Sequence, residues 1–526
     1  MKNIKYILAI VLLAGVMFSC DKGFLDEEVY DFRSNVNFYE TPQDANSAMI
    51  GTYKFLADLY KQSMIEMLTQ NSGAFVKHKL STPWISGTYT SSTKEVTWTW
   101  QYSYQLINGC NDVILNVGKM ENIDDSLRVT IIGEARFLRA WAYFDLVRLY
   151  RRVPIRLLPT NGIQNAMKPL SESQKVYDQV IIPDLQYAKA HLPIEWSAEN
   201  TGRATWGAAT AALAKVYLTL AGNQDGSPYW AKARDEAKEV MESGIYSLVS
   251  DFGALWNIDN KNTEESIFEV QYLRGAYTGS GYAKIFTPSR SHMAAKGGGW
   301  GRARCTQKNY DDFFLSYSND SVLDYRIEKT FIDKYIKYKD GNEKLTPVYP
   351  TKKYKKEGWP YIKKWIDPEA PDNFAAGNNF IVIRYADLLL MFAEAENEVN
   401  GPTAEAYDAV DEVLARARHA DGTERDVPAN WERNLTQDQF REKVWNERRF
   451  ELAGELHLWF DLTRKGWDKF RQFKEDDNNY ETNMLGDPVM KPIKHGVYEK
   501  NMYLPIPTLE ISSNDSISVS DQNPGY

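Results

Sequence analysis

Two groups of aromatic residues stand where no helical period surrounds them. Trp84, Tyr89, Trp98 and Trp100 fall in one region, and Tyr277, Tyr282 and Trp300 in another, with His292, Arg302 and Arg304 close by. A flat ring matches the C–H face of a sugar, and Arg, His, Asn or Asp matches its rim of hydroxyls. Rings displayed from loops are therefore the residue types of glycan recognition, a few rigid anchors among polar contacts. Trp84, Tyr277, Tyr282 and Trp300 are the leading candidates, because each sits beside Gly, Ser or Pro and not within an apolar period. Trp98 and Trp100 alternate with Thr, the pattern of a half-buried strand running into a helix at 101. Packing into the core is the competing fate for every one of these rings.

Other chemistries lack their residues. The sequence has no Walker loop, dinucleotide fingerprint, nucleophile elbow or His-Glu-x-x-His. Gly297-Gly-Gly-Trp-Gly301 lacks the strand–turn–helix setting of a phosphate loop. The six histidines (78, 191, 292, 419, 457 and 495) are scattered without ligand spacing, so no transition-metal site and no cofactor are expected. There is no EF-hand, which leaves a Ca²⁺ site built from loop carboxylates open. A glycan-cleaving enzyme would need two carboxyls about 5–10 Å apart at the base of a cleft. Helical spacing alone supplies many Glu pairs, so acid–base catalysis is not the reading of these carboxylates. The charge of −9 argues against a sequence-independent nucleic-acid binder.

Helices must position the rings. Ile131, Ala135, Leu138, Ala142, Leu146 and Leu149 share one face. Trp206, Ala209, Leu213, Val216 and Leu220 share a second, and Tyr385, Leu388, Phe392, Ala395 and Val399 a third. Further helices are expected near 42–61, 101–118, 172–191, 229–243, 404–419 and 436–454. Thr436 with Gln439 forms a capping box, and Gly401-Pro402 stops one helix before Thr403 caps the next. Short helix–turn–helix units of this kind predict a mostly α, tetratricopeptide-like scaffold. Glu394, Asn397, Arg384, Arg448, Glu451 and Asp461 interrupt apolar helices. Buried polar groups need partners, so these should lock the C-terminal helices together.

The stretch 263–380 differs. Residues 271–301 hold seven glycines, and residues 331–365 hold ten lysines against four acids, interleaved with five Tyr and two Trp. Both read as long loops and short strands over the scaffold, where binding residues concentrate. The lysines fit an acidic polysaccharide or, preferably, a solvated strand pair at a sheet edge. Cys110 and Cys305 either pair or remain buried thiols.

The N-terminus reads as an address. Lys2 and Lys5 precede an apolar run of 12 residues, Ile7 to Phe18, and then Ser19-Cys20. The run fits a signal peptide and falls short of the roughly 20 residues of a spanning helix. A small residue before Cys20 marks a lipoprotein cleavage site, with Cys20 as the lipidated new terminus. Asp21, Asp26, Glu27, Glu28 and Asp31 follow. The expected organisation is a signal peptide over 1–19, a lipidated acidic tether over 20–36 and one domain over 37–526. In that domain the helical scaffold covers about 37–262 and 381–475, the loop-rich insertion about 263–380, and a C-terminal segment 476–526.

Four segments carry a family resemblance. The first runs Glu134-Ala-Arg-Phe-Leu-Arg-Ala140 into 143–150 and Val153-Pro154. The second is 383–397, the third 446–453 through Trp459-Phe-Asp-Leu462 and Arg464, and the fourth Tyr503-Leu-Pro-Ile-Pro507 with Gln522-Asn-Pro-Gly-Tyr526. Together with the lipobox, the chain resembles the SusD/RagB family of outer-membrane nutrient-binding lipoproteins from end to end. The acidic tether resembles the surface-export signal of Bacteroidetes lipoproteins. The resemblance implies a non-enzymatic cell-surface protein, anchored in the outer membrane by lipid, that binds oligosaccharide or polysaccharide. Its implied partner is a SusC-like TonB-dependent transporter, whose mouth it covers as a lid. Peptide capture is the alternative the same family offers. Trp84, Tyr89, Trp98, Tyr277, Tyr282, His292, Trp300 and Arg302 are the expected ligand contacts.

Overall fold

The computed structural model describes residues 38–61, 63–77, 82–318, 322–349, 358–420, 422–489 and 494–526. The leader, Cys20 and the acidic tether lie outside the described residues. From the N-terminal side, α1 (Pro42–Tyr60) starts on Thr41, whose side chain and that of Asp44 make a reciprocal capping box, with Pro42 pre-set at the first position. α2 (Ser63–Asn71), α3 (Lys94–Val117), α4 (Asp125–Tyr150), α5 (Ile182–His191), α6 (Trp206–Ala221) and α7 (Pro228–Glu242) follow. Each packs mainly on its sequence neighbours, α1 on α3, α3 on α4, α4 on α5, α5 on α6 and α6 on α7. This is the stacking of α-hairpins expected of a tetratricopeptide-like scaffold.

One expectation fails here. The Trp98–Trp100 stretch is helix, since α3 begins seven residues before 101. Alternating Thr and Trp favours a strand, but Val96, Trp100, Ser103, Ile107, Cys110, Val113 and Val117 form one continuous buried stripe. Tertiary burial of that stripe overrides the local β preference. Cys110 on α3 and Cys305 are both buried free thiols.

The chain then leaves the scaffold through β2 (Ser266–Val270) and re-enters through β8 (Phe380–Arg384), which pairs antiparallel with it, Phe380 opposite Val270. Everything between is one excursion closed at its root. β1 (Phe75–Val76), β3 (Arg304–Cys305), β4 (Phe331–Ile332) and β7 (Tyr361–Ile362) make a four-stranded sheet in the order β1-β3-β7-β4 that ties the excursion to the end of α2. β5 (Lys334–Lys339) and β6 (Asn342–Pro347) form the lysine-rich strand pair. The excursion also contains helix α8 (Gln307–Tyr317), which was not expected. Its signal was present, with Thr306 as cap and Tyr310, Phe313, Phe314 and Tyr317 at helical spacing.

α9 (Tyr385–Asn400), α10 (Ala404–Arg418), α11 (Gln437–Glu451), α12 (Leu458–Arg464) and α13 (Trp467–Asn478) complete the scaffold. Gly401 ends α9 at φ 82°, Thr403 caps α10, and Thr436 with Gln439 makes the expected capping box on α11. The polar residues inside these helices meet partners as predicted, within a wider network. Glu451 is held by Arg384 at 2.7 Å, by Arg326 at 2.9 Å and by Arg416. Arg384 also binds Glu265 and Glu455, each at 2.8 Å, and Lys364 reaches Glu455 at 2.6 Å. A second knot joins Arg448 to Asp387 and Asp461, and Arg464 to Glu394 and Asp461. Burial alone would raise the Glu451 carboxyl, but Arg416, Arg384 and Arg326 hold it well below the ordinary range.

His457 is buried between the two knots, its Nδ1 at 3.4 Å from Lys215 Nζ. Burial, reinforced by Lys215, pushes its imidazole from the ordinary 6.5 down to about 3. The folded protein therefore holds the ring neutral, whereas the unfolded chain binds a proton below 6.5. The resulting stability is present above that pH and is lost as pH falls toward the folded value. His457→Gln should remove a slope approaching about 1.4 kcal/mol per pH unit from urea-derived stability between roughly pH 5.5 and 4; equal slopes in the two proteins would exclude this origin. Glu451→Gln should cost about 3–5 kcal/mol in the same assay at neutral pH, because it leaves buried guanidinium groups short of a partner.

Candidate functional site

The ring-bearing loops divide into those sealed by packing and those left open. Tyr282 is sealed at 0% exposure. It stacks on Phe380 at 5.4 Å and 8°, lies 4.6 Å from Trp365, and donates its hydroxyl to the Tyr60 carbonyl at 3.0 Å. The glycine before it explains why. A Cβ on Gly281 would meet the Phe374 ring at 2.8 Å and the Lys61 carbonyl at 3.1 Å. Gly281 thus serves close packing of the excursion on α1, not display of its neighbour.

Trp84 and Tyr89 are buried in the same way under the C-terminal segment. Their rings are 4.4 Å apart, and Tyr89 lies 5.8 Å from Tyr526. Gly87, at φ 68°, leaves the place of a side chain to Asn501, whose Oδ1 sits 2.3 Å from where a Cβ would be. These three residues are therefore core, and the expectation that they contact ligand is corrected. Trp98 is partly exposed on α3, with Lys94 Nζ 5.1 Å from its ring centre. Arg304 turns inward over Tyr361.

Trp300, Arg302, Tyr277 and His292 remain at the surface. Trp300 is half-buried. Its indole is met edge-on by Phe374 at 5.3 Å, and the Arg302 guanidinium lies 4.0 Å from the ring centre. Arg302 is held in turn by Glu66 on α2 at 2.7 Å. Backbone bonds from Trp300 and Arg302 to the carbonyls of Lys284 and Ile285, both 2.7 Å, fix the loop beneath. That loop folds this tightly only with glycine, since a Cβ at Gly299 would fall 2.1 Å from the Thr287 carbonyl oxygen. His292 is exposed on the same loop, 4.1 Å from the ring of Tyr338, and belongs to the junction with the β5–β6 hairpin.

Two residues before Gly281, Gly279 lines a groove of about 450 Å³ that runs along α1. Tyr277, 86% exposed, stands on its rim with exposed Leu273 and Ile50. Lys61 joins the rim to α1 by donating to the Ala276 carbonyl at 3.2 Å. The wall opposite is polar. Asn200 accepts from Arg203, which pairs with Glu134, and Gln271 exchanges hydrogen bonds with Asn262. Glu269 also lines the groove. Burial raises its carboxyl, but Asn379, Asn262 and Ser266 already occupy its oxygens. Its role is to hold the root of the excursion. Among the described residues no group of three or more His, Cys, Asp or Glu is placed to hold a metal ion.

Sequence reasoning missed Ile50, Lys54, Asn200 and Gln271. Ile50, Tyr53, Lys54, Ala57 and Lys61 do form one helical stripe, but nothing local says which stripe of α1 will border a groove.

A family model described as the SusD family matches residues 264–526, half of the chain. The chain belongs to the SusD family. A second model, described as starch-binding associating with outer membrane, matches residues 23–218. A SusD-like protein of Formosa agariphila is 27% identical over 513 residues, covering 88% of this chain and 90% of the relative. A SusD superfamily structure from Parabacteroides distasonis superposes with a TM-score of 0.74 at 26% identity, over 92% of this chain and 99% of that one. A structure described as a laminarin-binding SusD-like protein shares the fold, with a TM-score of 0.69 and 24% identity over 93% and 100% of the two chains. The helical scaffold with its strand-bearing excursion is thus the SusD architecture.

The division of rings is testable by stability. Tyr282→Ala should lose about 3–5 kcal/mol in urea unfolding, as a large aromatic removed from a packed core does. Tyr277→Ala should change it by no more than about 0.5 kcal/mol. A neutral Tyr282 variant would return that residue to the surface.

Proposed function

We propose that this SusD-family protein captures oligosaccharide on the face that carries Trp300, Arg302 and Tyr277. It holds the sugar by stacking and hydroxyl hydrogen bonds and makes or breaks no bond. The observation that carries the reading is the Trp300 platform, a half-exposed indole clamped by Phe374 and Arg302 beside an open groove. The clamp matters because a ring already fixed in place loses little entropy when a sugar settles on it. Arg302, whose guanidinium stacks over the ring, brings hydrogen-bond donors beside it, and the groove rimmed by Tyr277 gives room for the next units of a chain. The laminarin-binding relative supports the same ligand class.

The remainder of the reading concerns delivery. Lipid on Cys20 tethers the protein to the outer membrane at the cell surface, and the acidic residues after it form a solvated spacer. The captured glycan passes to a SusC-like TonB-dependent transporter, covered through an interface above about 2,000 Å². A handed-on ligand calls for weak capture, with micromolar to millimolar Kd, or about −8 to −4 kcal/mol.

Calorimetry of the chain from residue 21 against a glycan panel tests the binding. Trp300→Ala should lower affinity at least tenfold, about 1.4 kcal/mol, with the thermal midpoint held within a few degrees. Unchanged affinity would remove Trp300 from the site, and release of reducing ends on incubation would replace a binder with an enzyme. Cys20→Ala should abolish incorporation of radiolabelled fatty acid; persistent labelling would refute the anchor.

A further inference from the structure

The opposite flank of α1 borders a second and larger recess. It measures about 660 Å³ and opens between α3 and the C-terminal segment 507–513, with Phe55 of α1 at its edge. We propose that this recess is a second saccharide-binding groove, separate from the Trp300 platform.

From Val96 to Asn111 there is no charged residue, in a chain that is 25% charged. A solvated helix face is ordinarily rich in Lys and Glu, so an uncharged run on an exposed face needs another cause. Thr97, Gln101, Gln105 and Asn108 follow one another along the groove over about 16 Å of helix. Gln101, Gln105 and Asn108 are exposed. Asn108 uses its carbonyl oxygen to accept from the Thr160 amide at 2.8 Å, which leaves its NH₂ for the groove. The Gln101 and Gln105 amides each offer donor and acceptor together, the combination that neighbouring hydroxyls of a sugar require.

Behind that polar row Trp100 forms a buried floor, 3% exposed, and Tyr104 is half-buried. Trp100 and Tyr104 are 5.2 Å apart, and the Arg156 guanidinium lies 4.4 Å from the Tyr104 ring centre. Glu510 ties the far wall down. It accepts from Trp100 Nε1 at 3.1 Å and from Arg156 at 2.7 Å. Asp112, at the lower end, already accepts from the Tyr39 hydroxyl at 2.6 Å and from Asn116 at 2.9 Å. Arg156, the one cation lining the recess among the described residues, is therefore paired with Glu510, so an anionic ligand finds no free counter-charge. An uncharged, hydroxyl-rich ligand finds the half-buried Tyr104 ring over the Trp100 floor on one side and amides on the other.

The test uses the protein as the cell processes it from the full-length chain, purified in a sugar-free detergent and labelled with 5-fluorotryptophan. The probes are laminarihexaose, maltohexaose, a xyloglucan heptasaccharide and a tryptic digest of casein, each up to about 10 mM, beyond the weak end of useful affinity. The Trp100 resonance, assigned by Trp100→Phe, should shift with at least one oligosaccharide. The shift should persist in Trp300→Ala and weaken at least tenfold in apparent affinity in a Gln101→Ala, Gln105→Ala variant whose other resonances are unmoved. Three results overturn the proposal: no Trp100 shift with any oligosaccharide, a shift only with the peptide digest, or a shift lost in Trp300→Ala. The Trp300 resonance reports the first site separately, so either site can fail alone.

Discussion

The buried carboxylate of Glu451 holds the molecule in its arrangement. It receives guanidinium groups from three separate segments: Arg326 of the excursion, Arg384 at the end of β8 and Arg416 on α10. Ion pairs of this kind contribute little to stability over a well-packed apolar core, because desolvation consumes most of the Coulomb attraction. Their effect is on alternatives. Any shift of β8 against α11, or of the excursion against the scaffold, strands a charge where no water can reach it. Arg384 is the pivot, since Glu265 stands just before β2 and Glu455 just beyond α11. The network thus fixes the root from which the 271–379 excursion grows. The positions of Trp300 and of Tyr277, which borders α1, follow from that root.

Glycine performs a second selection. The excursion and the C-terminal segment are both rich in rings, and whether a ring reaches solvent depends on how closely the backbone beside it can approach its neighbour. At Gly281 and Gly87 the space of a side chain is filled by Phe374 and by Asn501, and the adjoining Tyr282, Trp84 and Tyr89 are drawn into the interior. At Gly299 the close approach is between two strands of the same loop, and Trp300 is pushed outward as a result. The same residue type gives opposite outcomes, according to what lies on the other side of the contact.

This explains how far the sequence could be read. The scaffold was legible because its signals are local. Apolar residues recur at helical spacing, Thr403 and Thr436 cap, and Gly401 stops, each within a few residues of what it controls. Polar residues inside those helices announced buried pairing, although Arg326, Lys364 and Glu265 were invisible as partners because they lie in segments without period. The site was half legible. Tyr277 and Trp300 could be picked out as rings in glycine-rich sequence, but so could Tyr282, and nothing local separates them. Ile50, Asn200 and Gln271 come together only in three dimensions, from α1, a 3₁₀ turn and the exit of β2.

In the proposed delivery role, two recesses that both reach α1 suit a protein that must release what it catches. A single site with a Kd near 10⁻⁴ M and an ordinary association rate of about 10⁶ M⁻¹s⁻¹ lets go roughly a hundred times per second. That is fast enough to pass a ligand on and too fast to hold a scarce one. A polymer that touches both recesses is retained longer, because the second contact forms at an effective concentration set by the chain already bound, up to millimolar. Each contact alone remains weak, so the polymer can still be peeled away one site at a time. The fixed spacing of the recesses is what makes the added retention available. The first lies along α1 and the second between α3 and the C-terminal segment with Phe55 of α1 at its edge, so one packed scaffold sets the positions of both.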